Sequence, residues 1–159
     1  MTDPDRPFDR ERAMSVMASA FRNLVPYNAA LDLEALDADR GLAVMRLPWR
    51  ADLVGDPVRE ILHGGAITAL MDACSGASVF FAMNEAVPIA TLDLRIDYLR
   101  PAEPRKAVIA RAECFKIGKN VAFTRAIAFH EDASDPIASA AGTFMLATKG
   151  DTVMRRGGA

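Results

Sequence analysis

The stretch LHGGAITALMDACSGASVFFA occupies residues 62–82 and carries one acidic or basic charge, Asp72. Ile67, Leu70, Met71, Cys74, Ser78 and Phe81 recur in it at i, i+3, i+4, i+7 spacing, which predicts a helix. The other side is apolar too, with Ala69, Ala73, Val79 and Phe80. A helix apolar all round is wrapped on most sides by protein. The run Ala66–Ala82 has 17 residues, short of the roughly 20 that a membrane span needs, so a buried core helix is expected.

Downstream, four segments read as strands. In Thr91–Leu99, the residues Leu92, Leu94, Ile96 and Tyr98 share one face and Asp93, Arg95 and Asp97 the other, and Pro101 and Pro104 close the segment. Lys106–Phe115 and Asn120–His130 flank a hairpin-like turn, Lys116-Ile117-Gly118-Lys119. Glu131–Asp135 is the next turn. Ile137–Leu146 is the last strand, and its Ala138, Ala140, Ala141 and Gly142 leave room for close packing. Upstream, a helix begins at Asp9, the expected N-cap. It carries Met14, Met17, Ala18, Phe21 and Leu24 or Val25 at helical spacing and stops at Pro26. Tyr27–Ala35 and Leu42–Trp49 read as strands around a turn at 37–41, and residues 50–60 as a loop. This order predicts an α+β fold, one antiparallel sheet curled around the long central helix, with an N-terminal helical extension. Residues 1–8 and 149–159 read as flexible, and 9–148 as one domain.

A chain of 159 residues fits one domain on length alone. Apolar residues make up 51% and charged residues 25%, which excludes a disordered or fibrous chain. A net charge of −2 and a pI near 5.7 give no sign of a nucleic-acid surface. Two cysteines, Cys74 and Cys114, exclude a disulfide framework and a four-thiolate zinc site. His63 and His130 lie too far apart in sequence to form a local metal pair, and no metal site is expected. The N-terminus MTDPDRPFDRER is charged where a signal peptide is apolar. The expectation is a cytoplasmic protein with neither membrane nor nucleic-acid partner.

Asp72 is the candidate for chemistry. A carboxylate in an apolar run is costly to bury, so it is either a catalytic group tuned by its surroundings or an acid paired with a buried donor. Gly64 and Gly65 precede the helix, whose N-terminus offers unpaired N–H groups and partial positive charge. They form either an oxyanion site or a plain turn. Asp72 lies about 12 Å along the axis from Gly64, at about 1.5 Å per residue. That is too far for both to act on one carbonyl within one chain: either the roles are unrelated or a second subunit supplies one. Of the other candidates, His130 reads as a solvated turn residue and Cys74 and Cys114 as packing. Ser75 and Ser78 lack a nucleophile elbow, and Glu60 reads as a solvated loop charge.

Leu62-His63-Gly64-Gly65 followed by Leu70-Met71-Asp72 resembles the signature of hotdog-fold acyl-CoA thioesterases of the phenylacetate-pathway, PaaI-like type. Thr91–Ala102 resembles that family's strand after the helix. Phe115–Lys119 and Ile137–Phe144 resemble its later hairpin and last strand, so the resemblance spans about residues 40–148. It implies a homodimer or dimer of dimers, joined sheet to sheet, with sites at the interface. It implies Asp72 as nucleophile or water-activating base, and the Gly64 N–H as oxyanion donor across the interface. It implies that His63 orients the glycine loop or the thioester, and that Thr91 is a hydroxyl that helps to position water. Gly65, Arg100, Lys116, Gly118 and Lys119 are the expected substrate-binding residues, the three cations for CoA phosphates. No cofactor is implied beyond the CoA of the substrate. The chain departs from the family at Asp56–Leu62, where several members carry an Asn or Gln and this chain has no amide. Two other readings remain open: a hotdog hydratase or dehydratase on carrier thioesters, and a non-enzymatic acyl-CoA-binding protein.

Overall fold

The computed structural model describes residues 7–83 and 88–146. Most of the expected flexible segment 1–8, and all of 149–159, lie outside the described residues. The helices are α1 (Arg10–Val16), α2 (Arg22–Leu24), α3 (Pro26–Ala30) and α4 (Gly64–Met83). The strands are β1 (Glu34–Asp39), β2 (Leu42–Leu47), β3 (Val54–Asp56), β4 (Ile61–Leu62), β5 (Ile89–Tyr98), β6 (Val108–Ile117), β7 (Val121–Phe129) and β8 (Ala138–Leu146). Six of them form one antiparallel sheet in the order β1-β2-β6-β7-β8-β5. The expected sheet curled around a long helix is what the chain builds.

The inner face of the sheet is a floor of small residues. Ala43, Ala110, Ala112, Ala122, Ala126, Ala128, Ala138 and Ala140 are all buried. Small side chains let α4 come close to the backbone, and Cys74 Sγ stands 3.3 Å from Ala43 O and 3.4 Å from Ala110 O, within reach for its one proton to go to either. Burial pushes the Cys74 thiol up to about 12, so it packs as a small apolar group. Ile67, Leu70, Met71, Cys74, Ser78 and Phe81 are all buried, as their spacing predicts. Each large apolar member contributes roughly 1.5–3 kcal/mol by leaving water. α4 is long and apolar enough to cross a membrane, but most of it is buried inside this fold. Its cover is incomplete along one strip, where Thr68, Ala69, Asp72, Ala73 and Phe80 stay half-buried.

The N-terminal segment covers the far end of α4. Asp9 caps α1 by accepting from the Arg12 N–H at 2.9 Å. The chain then widens into one π-helical turn, Met17–Phe21. Phe21 meets Phe80 edge-on at 5.4 Å, and Phe8 meets Phe81 at 6.0 Å. Tyr27–Ala35 is not the expected strand: Pro26–Ala30 is helical and β1 starts at Glu34. Pro26 presets a helical φ and sits in the first turn, where its missing N–H costs nothing. Asn28 is buried and donates to Phe21 O at 3.1 Å, a tie that the alternation of residues 27–35 does not encode. The first hairpin turns at Arg40–Gly41, with Gly41 at φ +70°. The segment 50–60, expected as loop, contains a 3₁₀ turn at Ala51–Leu53 and β3, which pairs with β4. β6 runs on to Ile117, so the later turn is shorter than expected and closes with Gly118 N–H donating to Val121 O at 2.7 Å.

His130 is another correction. It is 6% exposed rather than solvated. Its Nε2 accepts from the Glu103 N–H at 2.8 Å, which leaves the proton on Nδ1 to donate to Ala107 O at 2.7 Å. The ring thus ties β7 to the loop after β5. His130→Leu is expected to lower unfolding free energy by about 1–3 kcal/mol, the cost of orphaning a buried polar group. A denaturant midpoint equal to wild type would refute this.

Candidate active site

Three elements meet at the start of α4: the β3–β4 hairpin, the first turn of the helix and the end of β5. His63 sits between β4 and α4, and its Nδ1 accepts from the Gly65 N–H at 2.9 Å. The imidazole is therefore an N-cap, with its proton on Nε2. Gly55 makes room for it, because a Cβ there would lie 2.8 Å from His63 Cα. Neither Gly64 nor Gly65 has positive φ, so backbone conformation reserves neither position for glycine. A Cβ on Gly64 would lie 3.2 Å from Tyr98 Oη, and one on Gly65 would lie 2.9 Å from His63 Nδ1. No hydrogen bond to the Gly64 N–H is found among the described residues.

Gly64 lines an open cleft of about 500 Å³. Its wall also includes Arg59, Ile61, Ile67, Ile137 and the segment Tyr98–Ala102. Arg100 stands in this wall, but Asp135 holds it at 2.9 Å and Glu103 at 3.8 Å. Arg59 is paired with Asp56 at 2.7 Å. Asp56 also accepts from the Val58 and Arg59 N–H groups, each at 3.0 Å, and these bonds with Arg59 hold its carboxyl below the usual range. Glu60 is no free acid. Arg105 contacts both its oxygens at 2.7 Å and lowers its pKa.

Asp72 lies two turns further along α4, outside this cleft lining. Its Oδ1 accepts from Thr91 Oγ1 at 2.8 Å. Within one chain the carboxylate is half-buried, not enclosed as its apolar neighbours suggest. Thr91 is where β5 bulges: Thr91 pairs with Phe144 and Asp93 with Thr143, leaving Leu92 without a partner. The bulge breaks the expected alternation, and Leu92 is 52% exposed instead of facing the core with Leu94 and Ile96. β5 is also the edge of the sheet, and Tyr98 and Leu99 are 48% and 56% exposed.

The structure thus joins Thr91 to Asp72, His63 to Gly65, and Arg100 to the Gly64 cleft. It does not bring Lys116, Gly118 and Lys119 to Gly64 within one chain. Lys116 lies in register with Phe123, Thr143 and Asp93, three strands across from β5, and the Gly118 N–H is used in its own turn. Tyr98 is the participant that sequence reasoning missed. Its hydroxyl donates to Gly64 O at 2.5 Å and stands 3.0 Å from Thr68 Oγ1. The available signal was a hydroxyl-bearing aromatic on a strand read as facing the helix that begins with two glycines.

The thioesterase superfamily model matches residues 60–137, from the β3–β4 hairpin to the start of β8. The chain is 28% identical over 149 residues to the medium/long-chain acyl-CoA thioesterase YigI of Escherichia coli, covering 86% of this chain and 95% of that protein. A solved protein of Pseudomonas aeruginosa is 40% identical, with a TM-score of 0.75, covering 87% of this chain and 98% of that one. The phenylacetic acid degradation protein PaaI of Thermus thermophilus is 28% identical with a TM-score of 0.66, covering 76% and 98%. The curled sheet and its long central helix belong to that same architecture, and the chain is a PaaI-like thioester hydrolase of the hotdog-fold thioesterase superfamily.

Proposed function

We propose that this chain hydrolyses acyl-CoA thioesters to the free acid and CoA, at sites shared between two copies. The observation that supports this best is the pairing of Thr91 with Asp72 on the strip of α4 that one chain leaves partly uncovered. A carboxylate that holds a hydroxyl there can orient and deprotonate a water. The water oxygen attacks the thioester carbon, the proton passes to Asp72, the C–S bond breaks, and CoA leaves as a thiolate that takes up that proton. In the alternative route the Asp72 oxygen attacks the thioester carbon directly and the C–S bond breaks, giving an anhydride and CoA thiolate; water then opens the anhydride to the free acid and the Asp72 carboxylate, and the proton it releases goes to the thiolate. The Gly64 N–H, at the positive end of α4, would stabilise the developing oxyanion. No metal or organic cofactor enters either route.

The two ends of this machinery lie about 12 Å apart along one helix, at about 1.5 Å per residue. The unpaired edge β5 offers the remedy. Antiparallel pairing of two β5 strands about Arg95, with the bulge at Leu92 taking up one residue, sets Thr91 of one chain opposite Tyr98 of the other. Asp72 of each copy then faces Gly64 of its mate. This pairing also covers Leu92, which the bulge exposes. A second pairing of dimers through the outer sheet face completes the expected dimer of dimers. Lys116, Lys119 and Arg100 remain the proposed contacts for CoA phosphates, with Gly65 and Gly118 as backbone approach points. Two free thiols fit a reducing cytoplasm.

Free-thiol release across a panel of acyl-CoAs from acetyl to palmitoyl tests the reaction. Release with medium or long chains supports likeness to YigI in substrate as well as in sequence. Loss of crotonyl-CoA absorbance without free thiol indicates a hydratase, and binding without turnover indicates a sensor. The shared site makes its own prediction. An Asp72→Asn subunit mixed with a Gly64→Val subunit should regain one working site per heterodimer. An active, strictly monomeric species in light scattering would overturn it.

A further inference from the structure

We propose that Tyr98 and His63 act as positioning residues that clamp one peptide plane, the Gly64–Gly65 peptide, from its two ends. This rests on the reading of the Gly64 N–H as oxyanion donor. Tyr98 has one hydroxyl proton, and Gly64 O can only accept, so the 2.5 Å bond fixes Tyr98 as donor. The 3.0 Å contact with Thr68 then runs from the Thr68 hydroxyl to Tyr98 Oη. On the other side of the same plane, the Gly65 N–H donates to His63 Nδ1 at 2.9 Å. The chain of donors is Thr68 to Tyr98 to the carbonyl of Gly64, and from the amide of Gly65 to His63. Hydrogen bonds in series polarise one another.

An α-helix leaves its first N–H groups without internal partners, and its first turn frays. Here both polar ends of the first peptide are tied to side chains from outside that turn, one from β5 and one from the residue before the helix. Holding that plane restricts ψ of Gly64. It thereby holds the adjoining His63–Gly64 peptide, whose N–H carries no hydrogen bond among the described residues. Clearance supports the same reading independently. The missing Cβ of Gly64 is what admits Tyr98 Oη, and the missing Cβ of Gly65 is what admits His63 Nδ1. The pair of glycines is thus matched, one to each jaw of the clamp. Tyr98 also walls the cleft beside Gly64, so the clamp stands where the thioester would enter.

The test is a double-mutant cycle on thiol release by the full chain, with kcat and KM separated and thermal melts on every sample. Tyr98→Phe keeps the ring and the β5 pairing, and is expected to lower kcat about tenfold with KM within about twofold, the scale of one hydrogen bond. His63→Ala should lose a similar factor. His63→Asn, which retains a capping oxygen, should recover most of it. Because both side chains hold one plane, Tyr98→Phe with His63→Ala should lose far less than the hundredfold product of two independent effects. Unchanged kcat in Tyr98→Phe, or losses that multiply, would overturn the clamp. The companion Asp72→Asn protein keeps the two readings apart. If it is inactive while Tyr98→Phe is unaffected, only the clamp fails. If wild type releases no thiol, the hydrolytic reading fails and the clamp falls with it, whereas a fully active Asp72→Asn protein removes Asp72 from the mechanism and leaves the clamp to be decided by Tyr98→Phe and His63→Ala.

Discussion

Asp72→Asn is expected to leave a folded protein whose kcat for thioester hydrolysis is lower by at least about 10²-fold, the scale of losing a general base. The substitution is conservative where it matters for geometry. Thr91 Oγ1 donates to Asp72 Oδ1 at 2.8 Å, and an asparagine Oδ1 can accept the same bond. What the amide cannot do is take a proton from water or attack a carbonyl. Fold and Thr91 contact therefore persist while the chemistry stops, and the melting temperature should move little because the carboxylate is only half-buried in one chain. Thr91→Val gives the complementary result. It keeps the base and loses the hydroxyl that orients it, so a smaller fall in kcat is expected. Single turnover in ¹⁸O-water then separates the two routes: label found in Asp72 marks attack by the carboxylate itself. Near-wild-type turnover of well-folded Asp72→Asn would remove Asp72 from the mechanism.

The parts of this molecule that are local in sequence are the parts that could be read in advance. The helix from Gly64 was legible because its stripe from Ile67 to Phe81 repeats at the helical period, and the four following strands because turn residues bound them. The antiparallel sheet follows from that order, since one sheet has to bury one helix. Tyr27–Ala35 was misread because alternation over a few residues is weak next to a proline that presets a helical start. His130 looked solvated beside Glu131 and Asp132, yet its ring is held by backbone groups of Glu103 and Ala107, more than twenty residues earlier in the chain. The bulge at Leu92 left no local mark, since alternation continued through it and only the partner strand reveals the slip. Gly64 and Gly65 were recognised, but the reason for them was not. A plain turn was one reading, and neither residue has the positive φ that would reserve such a turn for glycine. Space for Tyr98 and His63 is what those positions supply, and a contact between residues 34 apart has no signature at the level of spacing.

Gly64→Val carries the other large expected effect. A Cβ at residue 64 would lie 3.2 Å from Tyr98 Oη, a tight contact, and the valine methyls extend further into the same space. Tyr98 must then swing away from Gly64 O, and the branched side chain crowds the N–H on which the thioester oxygen would rest. Removing one oxyanion donor costs about 2.7–4 kcal/mol in the transition state, a fall in kcat of about 10²–10³. That exceeds the roughly tenfold loss expected when Tyr98→Phe removes one hydrogen bond alone, so comparing the two variants separates loss of the donor from loss of its support. The buried stripe of α4 begins at Ala66 and Ile67, below the substituted position, and the helix packing should survive. A residue that merely turns the chain behaves differently. Its substitution lowers the melting temperature and the folded fraction, while kcat and KM corrected for active fraction stay at wild-type values. Melts and active-site-corrected kinetics on the same samples decide between the two, and a lower melting temperature with unchanged corrected kinetics would leave the Gly64 N–H without a catalytic role.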